Sequence, residues 1–427
     1  MSERQAVSDL VKDVNVPKMF EVEQLFRQDK IEVENIPEVI LNLLSEEKFA
    51  CQIKPGMRIA ITAGSRGVSN VALITKTIVD FVKDKKGNPF VVPSMGSHGG
   101  ATAEGQKEVL EEYGIKEEYI GCPIISSMEV VEIGKNDEGK SVYIDKNAAN
   151  ADGIILSCRI KPHTAFRGPY ESGLMKMMAI GLGKQYGAEV IHAEGFKNMA
   201  KNVPLYGKAI LKNAPIMFGV AVIENAFDET CKIVALNSDE IEREEPKLLK
   251  EAFKSMPKIC IDECDVLIVD QIGKNFSGDG MDPNITGTFC SPYATGGIKA
   301  QRVAVLDISP ESHGNGIGLG YSSATTKRVF SKLELTSMYL NAITCTVLGG
   351  VRIPIVMESD KEAIQVCIKT CNEIDKKNPR IVRISNSLHL KRILLSESYY
   401  DDLKRNPNLI IKTEPKEMRF NSNGDLW

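Results

Sequence analysis

The chain has 427 residues, enough for two or three domains of roughly 100 to 200 residues each, and its 53 Lys+Arg against 57 Asp+Glu give a formal charge of −4. The charges are interspersed, so there is no basic stripe to track a phosphodiester backbone, and nucleic acid is excluded as a partner. No segment approaches the roughly 18 uninterrupted apolar residues of a membrane span, and MSERQAVSDLVKDVNV lacks the apolar core of a signal peptide, which predicts a soluble cytoplasmic protein.

Residues 54–115 read as strand, loop, helix, turn, strand, loop, helix. The runs MRIAIT and PFVVPS alternate with stretches of helical period, and KKGNP punctuates them. Further strands are predicted at 153–160, 216–224, 265–272, 302–309 and 354–359, which is the pattern of an α/β protein with mainly parallel sheets. The charged run 238–256 predicts a solvated helix, and the fresh apolar strand that follows places a domain boundary there. Two α/β domains, 1–255 and 256–427, with an active-site cleft between them are expected. The ten cysteines form no CxxC pair, and the closest spacings, Cys260/Cys264 and Cys367/Cys371, suit buried small hydrophobes.

Chemically capable residues follow the carboxyl ends of these strands: Arg66 after MRIAIT, His98 after PFVVPS, His163 after GIILSCRI, Lys274 after DVLIVDQI and His313 after RVAVLDIS. Ligands of open α/β sheets bind at that edge, where loops and helix N-termini converge. Around His98, Gly96, Gly99 and Gly100 would let backbone amides approach an anion or cofactor, and Thr102 suits the N-cap of the next helix. His163 lies among Arg159, Lys161 and Arg167, a basic setting suited to a carboxylate or phosphate. Lys176 interrupts the apolar run GLMKMMAI, so its ammonium must either snorkel out or be desolvated and shift its pKa. His192 follows it sixteen residues on, across the glycine-broken stretch AIGLGKQYGA. GLGKQ is not a Walker A loop, and GNGIGLG lacks the context of a dinucleotide fingerprint.

Taken together, GSHGG (96–100), KPHTAFRGPYESGLMKM (161–177), IGLGKQYGAEVIH (180–192), GKNFSGDGMDPNITG (273–287) and SHGNGIGLG (312–320) resemble the nickel-pincer-nucleotide lactate racemases and their 2-hydroxyacid racemase and epimerase homologues. The resemblance implies a cofactor derived from nicotinate, pyridinium-3,5-bisthiocarboxylic acid mononucleotide nickel, and dependence on the enzymes that build it. It implies Lys176 as the covalent tether, His192 as the nickel ligand, and His98 and His163 as two acid/base histidines. Arg66, Gly99 and Gly100 would lie against the cofactor, and Lys274 would hold the substrate carboxylate. The family's chemistry moves a hydride from C2 while a histidine takes the hydroxyl proton, then returns both, and a base for each enantiomer is expected.

Arg167, Tyr170 and Glu171 stand where the resemblance implies a glycine- and serine-rich loop, so Arg167 would serve a second carboxylate or the hydroxyls of a sugar acid. Thr288, where many such relatives carry an arginine, weakens the dicarboxylate version. Two other readings stand beside the racemase. One is a hydrolase or lyase with His98, His163 and His313 on a metal, although no HxH or HxxxH pair is present. The other is a non-catalytic binder of a small anion, in which Lys176 has no role.

Overall fold

The computed structural model describes residues 3–65, 67–403 and 406–427. The chain forms two compact units, one of residues 27–256 and one of residues 1–26 with 257–427.

In the unit 27–256, a five-stranded sheet runs in the order Asn88–Pro93, Arg58–Ala63, Gly153–Arg159, Ile216–Glu224, Thr230–Asn237. The first four strands are parallel and the last pairs antiparallel. Because helices cover both faces, strand residues of either parity are apolar, which is why these strands were readable as continuous runs. On one face Ile59, Ile61, Ile155, Phe218 and Val220 pack against the helices Ile36–Leu44 and Val71–Asp84. On the other, Ala60, Ile154, Leu156 and Ala221 meet residues of 174–192, of Met199–Asn213 and of Ser238–Ser255.

Parallel pairing puts Ala63, Pro93, Arg159 and Glu224 at one edge of the sheet. The expected helix over 238–256 is present as Ser238–Ser255, but it is not solvated all round. Ile241, Glu245, Leu248, Leu249 and Ala252 form a buried stripe. The antiparallel hairpin Val130–Lys135 and Ser141–Asp145 was not anticipated.

The other unit holds an eight-stranded sheet in the order Ile355–Met357, Ala324–Thr326, Lys299–Ile308, Glu263–Ile272, Ile381–Ile384, Arg392–Ser396, Met19–Gln24, Leu409–Ile411. Its first five strands are parallel and its last three antiparallel. The expected assignment of residues 1–26 to the N-terminal domain is therefore corrected. Met19–Gln24 hydrogen-bonds to strands some 370 residues downstream, and burial of Phe20 and Val22 secures it there. Among the described residues no helix is long and apolar enough to cross a membrane, and all ten cysteines are free thiols.

Candidate active site

The segment carrying Lys176 begins as a helical turn, Leu174–Lys176, continues as a π-helix, Met177–Leu182, and resumes after Gly183 as the helix Lys184–His192. Its apolar side, Leu174, Met175, Met178, Ala179, Ile180 and Leu182, is buried against the sheet. Glycine lets it approach closely: a Cβ on Gly181 would lie 2.6 Å from the Ser94 carbonyl oxygen, and the Gly96 amide donates to the Gly181 carbonyl at 3.3 Å. A Cβ on Gly64 would meet Met177 Cε at 3.3 Å, so the same segment also lies against the loop after Arg58–Ala63.

Lys176 lies near enough to His192 in this fold for its charge to act on the imidazole. Sixteen residues of straight helix would part them by about 24 Å. Instead Lys184, at φ 53°, sits in the left-handed region and breaks the helix, and the Lys176 charge acts on the imidazole. Burial first, and that charge second, push the partly buried His192 down to about 4. The ring is neutral at physiological pH, the form in which imidazole donates to a metal. Lys176 itself is only partly buried. The fully buried lysine of this segment is Lys184, which the sequence did not reveal.

The loop after Asn88–Pro93 carries His98 at an exposed position. Gly96, Gly99 and Gly100 have φ of 60°, 64° and 63°, and a Cβ on Gly99 would fall 2.6 Å from the Gln106 amide nitrogen. These glycines are what the turn requires. Thr102 caps the following helix, accepting from the Gly105 amide at 3.0 Å. His98 Nδ1 lies 2.8 Å from the Met95 carbonyl oxygen. A carbonyl only accepts, so Nδ1 carries the proton and Nε2 the lone pair in the neutral ring.

His163 sits in a loop closed by paired Lys161 and Ser172. Here the Ala165 amide donates to His163 Nδ1 at 3.0 Å, so the neutral ring carries its proton on Nε2. The two imidazoles thus present opposite faces, a lone pair at His98 and an N–H at His163. Glu171, 2% exposed, accepts from the His163 amide at 2.7 Å, from Arg167 at 3.2 Å and from the Gly168 amide at 3.2 Å. Burial pushes its carboxyl above the usual value, against the His163 amide and the Arg167 charge. Arg167 Nη1 donates to the His163 carbonyl at 2.6 Å and to that of Phe166 at 3.2 Å, and its guanidinium lies over the Phe253 ring. Arg159 pairs with Glu224, whose other oxygen accepts the Ser69 amide at 2.6 Å and pins the loop after Arg58–Ala63.

The strands leading to His98 and His163 flank Arg58–Ala63, so their ends stand two strand spacings apart, about 10 Å. The Lys176 segment lies across that same edge. Arg66, expected against the cofactor, lies outside the described residues. Lys274 belongs to the other unit, where its Nζ donates to the Gly278 carbonyl at 2.8 Å and its amide to Ser312 Oγ at 2.8 Å. His313, also there, holds a left-handed φ of 47° after Lys299–Ile308.

Residues 3–202 match the family model described as the lactate racemase N-terminal domain. Over residues 3–202 the chain is lactate racemase-like. Its fold is similar to that of the lactate racemase apoprotein from Thermoanaerobacterium thermosaccharolyticum, at 14% identity and a TM-score of 0.52 over 86% of this chain and 93% of that one. A protein from Thermotoga maritima aligns at 12% identity and a TM-score of 0.49, over 86% of this chain and 99% of its own. No curated protein matches this lactate racemase-like chain in sequence.

Sequence reasoning missed Lys184, Gln106, Asp145 and Glu245 and gave Glu171 no role of its own; all five are buried polar groups that hold the segments bearing the predicted residues. Among the described residues no group of three or more His, Cys, Asp or Glu could hold a metal ion. A site with one imidazole and a nearby lysine fits a metal that arrives already held by an organic group.

Proposed function

We propose that this protein is a racemase or epimerase that inverts C2 of a 2-hydroxyacid with a nickel-pincer nucleotide. The observation that carries the proposal is a partly buried, neutral His192 within reach of the Lys176 charge across a broken helix. His192 would donate its imidazole to the nickel, and Lys176 would hold the cofactor covalently. The lysine interrupts an apolar run because it is consumed in that bond. Imidazole is a suitable nickel donor, and one such ligand suffices when the organic group supplies the rest. Gly99 and Gly100 bring backbone to the same edge, and Arg66 and Lys274 are assigned to the cofactor phosphate and the substrate carboxylate. Bound there, the cofactor would supply reversible hydride acceptance from C2.

The histidines handle the proton. His98 Nε2, with its lone pair directed away from Met95, takes the hydroxyl proton as C2 becomes trigonal and gives it back when C2 is again tetrahedral. His163 Nε2–H donates to the same oxygen or to the carboxylate, and Glu171 fixes its loop. The pair is a base and a donor in its resting state, rather than two equal bases. Arg167 is tied to the His163 backbone and is assigned to the substrate's distal group.

The test is expression of the chain together with cofactor-making enzymes, followed by nickel analysis and peptide mass mapping. One nickel per chain and a mass addition confined to the peptide bearing Lys176 are expected. Nickel-free protein, or an adduct on another lysine, overturns the reading.

A further inference from the structure

Lys184 is the only lysine fully buried among the described residues, and it lies eight residues from both Lys176 and His192. Its ammonium donates to Gln106 Oε1 at 3.2 Å and to the Pro93 carbonyl at the end of its strand, and forms an ion pair with Asp145 Oδ2 at 3.3 Å. Asp145 in turn accepts the Ala148 amide at 2.9 Å.

Gln106 is also 0% exposed, and its amide is fully used. Nε2 donates to the Gly96 carbonyl at 2.8 Å and to the His98 carbonyl at 3.2 Å. Its orientation is forced, because an ammonium can only donate and a carbonyl can only accept. The residue whose left-handed backbone folds Lys176 toward His192 is thus joined, through one side-chain amide, to the backbone of His98.

We infer that Lys184 and Gln106 are positioning residues that set His98 against the Lys176–His192 pair. This rests on the reading of His98 as the proton-handling histidine. A buried charge serves here because a hydrogen-bonded, ion-paired network favours one geometry, whereas an apolar filler would leave the glycine loop 96–100 free to slide.

The experiment uses Gln106→Met, which keeps the volume and leaves Lys184 with Asp145 and the Pro93 carbonyl, and Gln106→Glu, which keeps an acceptor for Lys184. Both variants lose the two donors to Gly96 and His98. Amide exchange of 95–101 in the cofactor-free protein is expected to quicken at least tenfold in both, with the rest of the sheet unchanged. In the nickel-loaded enzyme, nickel content and KM are expected to stay within twofold while kcat falls at least tenfold.

Unchanged exchange in 95–101, or a kcat within twofold of wild type in both variants, overturns the inference. If the wild-type chain takes up no nickel, the racemase reading falls alone, and the exchange measurement still decides whether Gln106 holds the His98 loop.

Discussion

Glu245 makes the most specific stability prediction. It projects from Ser238–Ser255 to the start of the Lys176 segment and is 1% exposed. Its Oε2 accepts the Met175 amide at 2.9 Å, and its Oε1 has no hydrogen-bond partner among the described residues. Gly173 leaves the room, since a Cβ there would lie 2.2 Å from Oε1. Burial pushes the carboxyl from an ordinary 4.5 up to about 8, opposed by the amides of Met175 and Leu174.

The sign follows from proton counting. Below pH 4.5 both folded and unfolded chains hold the proton. From 4.5 to about 8 the unfolded chain has released it and the folded chain has not, so stability falls as pH rises; above 8 the loss levels off. The full gap is worth about 5 kcal/mol, at about 1.4 kcal/mol per unit. Gln in this position keeps the acceptor and does not titrate. Urea unfolding of wild type and Glu245→Gln, followed by circular dichroism from pH 5 to 8.5, should show the variant gaining roughly 2–5 kcal/mol on wild type as pH rises. Parallel curves would refute the burial of an uncompensated carboxyl at the helix start.

Replacing Lys176 by Met should raise the His192 titration from about 4, yet leave it below 6.5 because burial is the larger cause; imidazole proton resonances of the cofactor-free protein report it, and an unmoved titration would separate the two side chains. Nitrogen NMR should find His98 with its lone pair on Nε2 and His163 with its proton on Nε2, and identical tautomers would contradict the base-and-donor assignment. Lys184→Met should cost about 3–5 kcal/mol in urea unfolding by leaving Asp145 buried without its cation, and Lys184→Met with Asp145→Asn should recover much of that. Gly181→Ala should cost about 1–3 kcal/mol and loosen the His98 loop, since its methyl would enter the Ser94 carbonyl.

The parallel strands were legible because both their faces are buried, which makes them apolar runs bounded by turns. Met19–Gln24 was not, because six residues of weak alternation say nothing of partners at 392–396 and 409–411. The loops bearing His98 and His163 were found from their place after strands. Lys184 was missed for a physical reason: its counter-ion, Asp145, lies on a hairpin about 40 residues upstream, and nothing in LGKQYG distinguishes a buried ammonium from a solvated one. Glu245 had a readable signal. It falls in the stripe Ile241, Glu245, Leu248, Leu249, Ala252, whose helical spacing marks the buried face of a run that looks solvated by charge alone.

The proposed function rests on hydride chemistry at C2, on a nickel-bearing group held by Lys176 and His192. Its most direct test is to follow single enantiomers of lactate, malate, 2-hydroxyglutarate and gluconate in deuterated water with the nickel-loaded protein. Inversion of one of them with the C2 hydrogen retained is the predicted result. Inversion with solvent deuterium at C2 would mean direct deprotonation of carbon, and the account would be wrong.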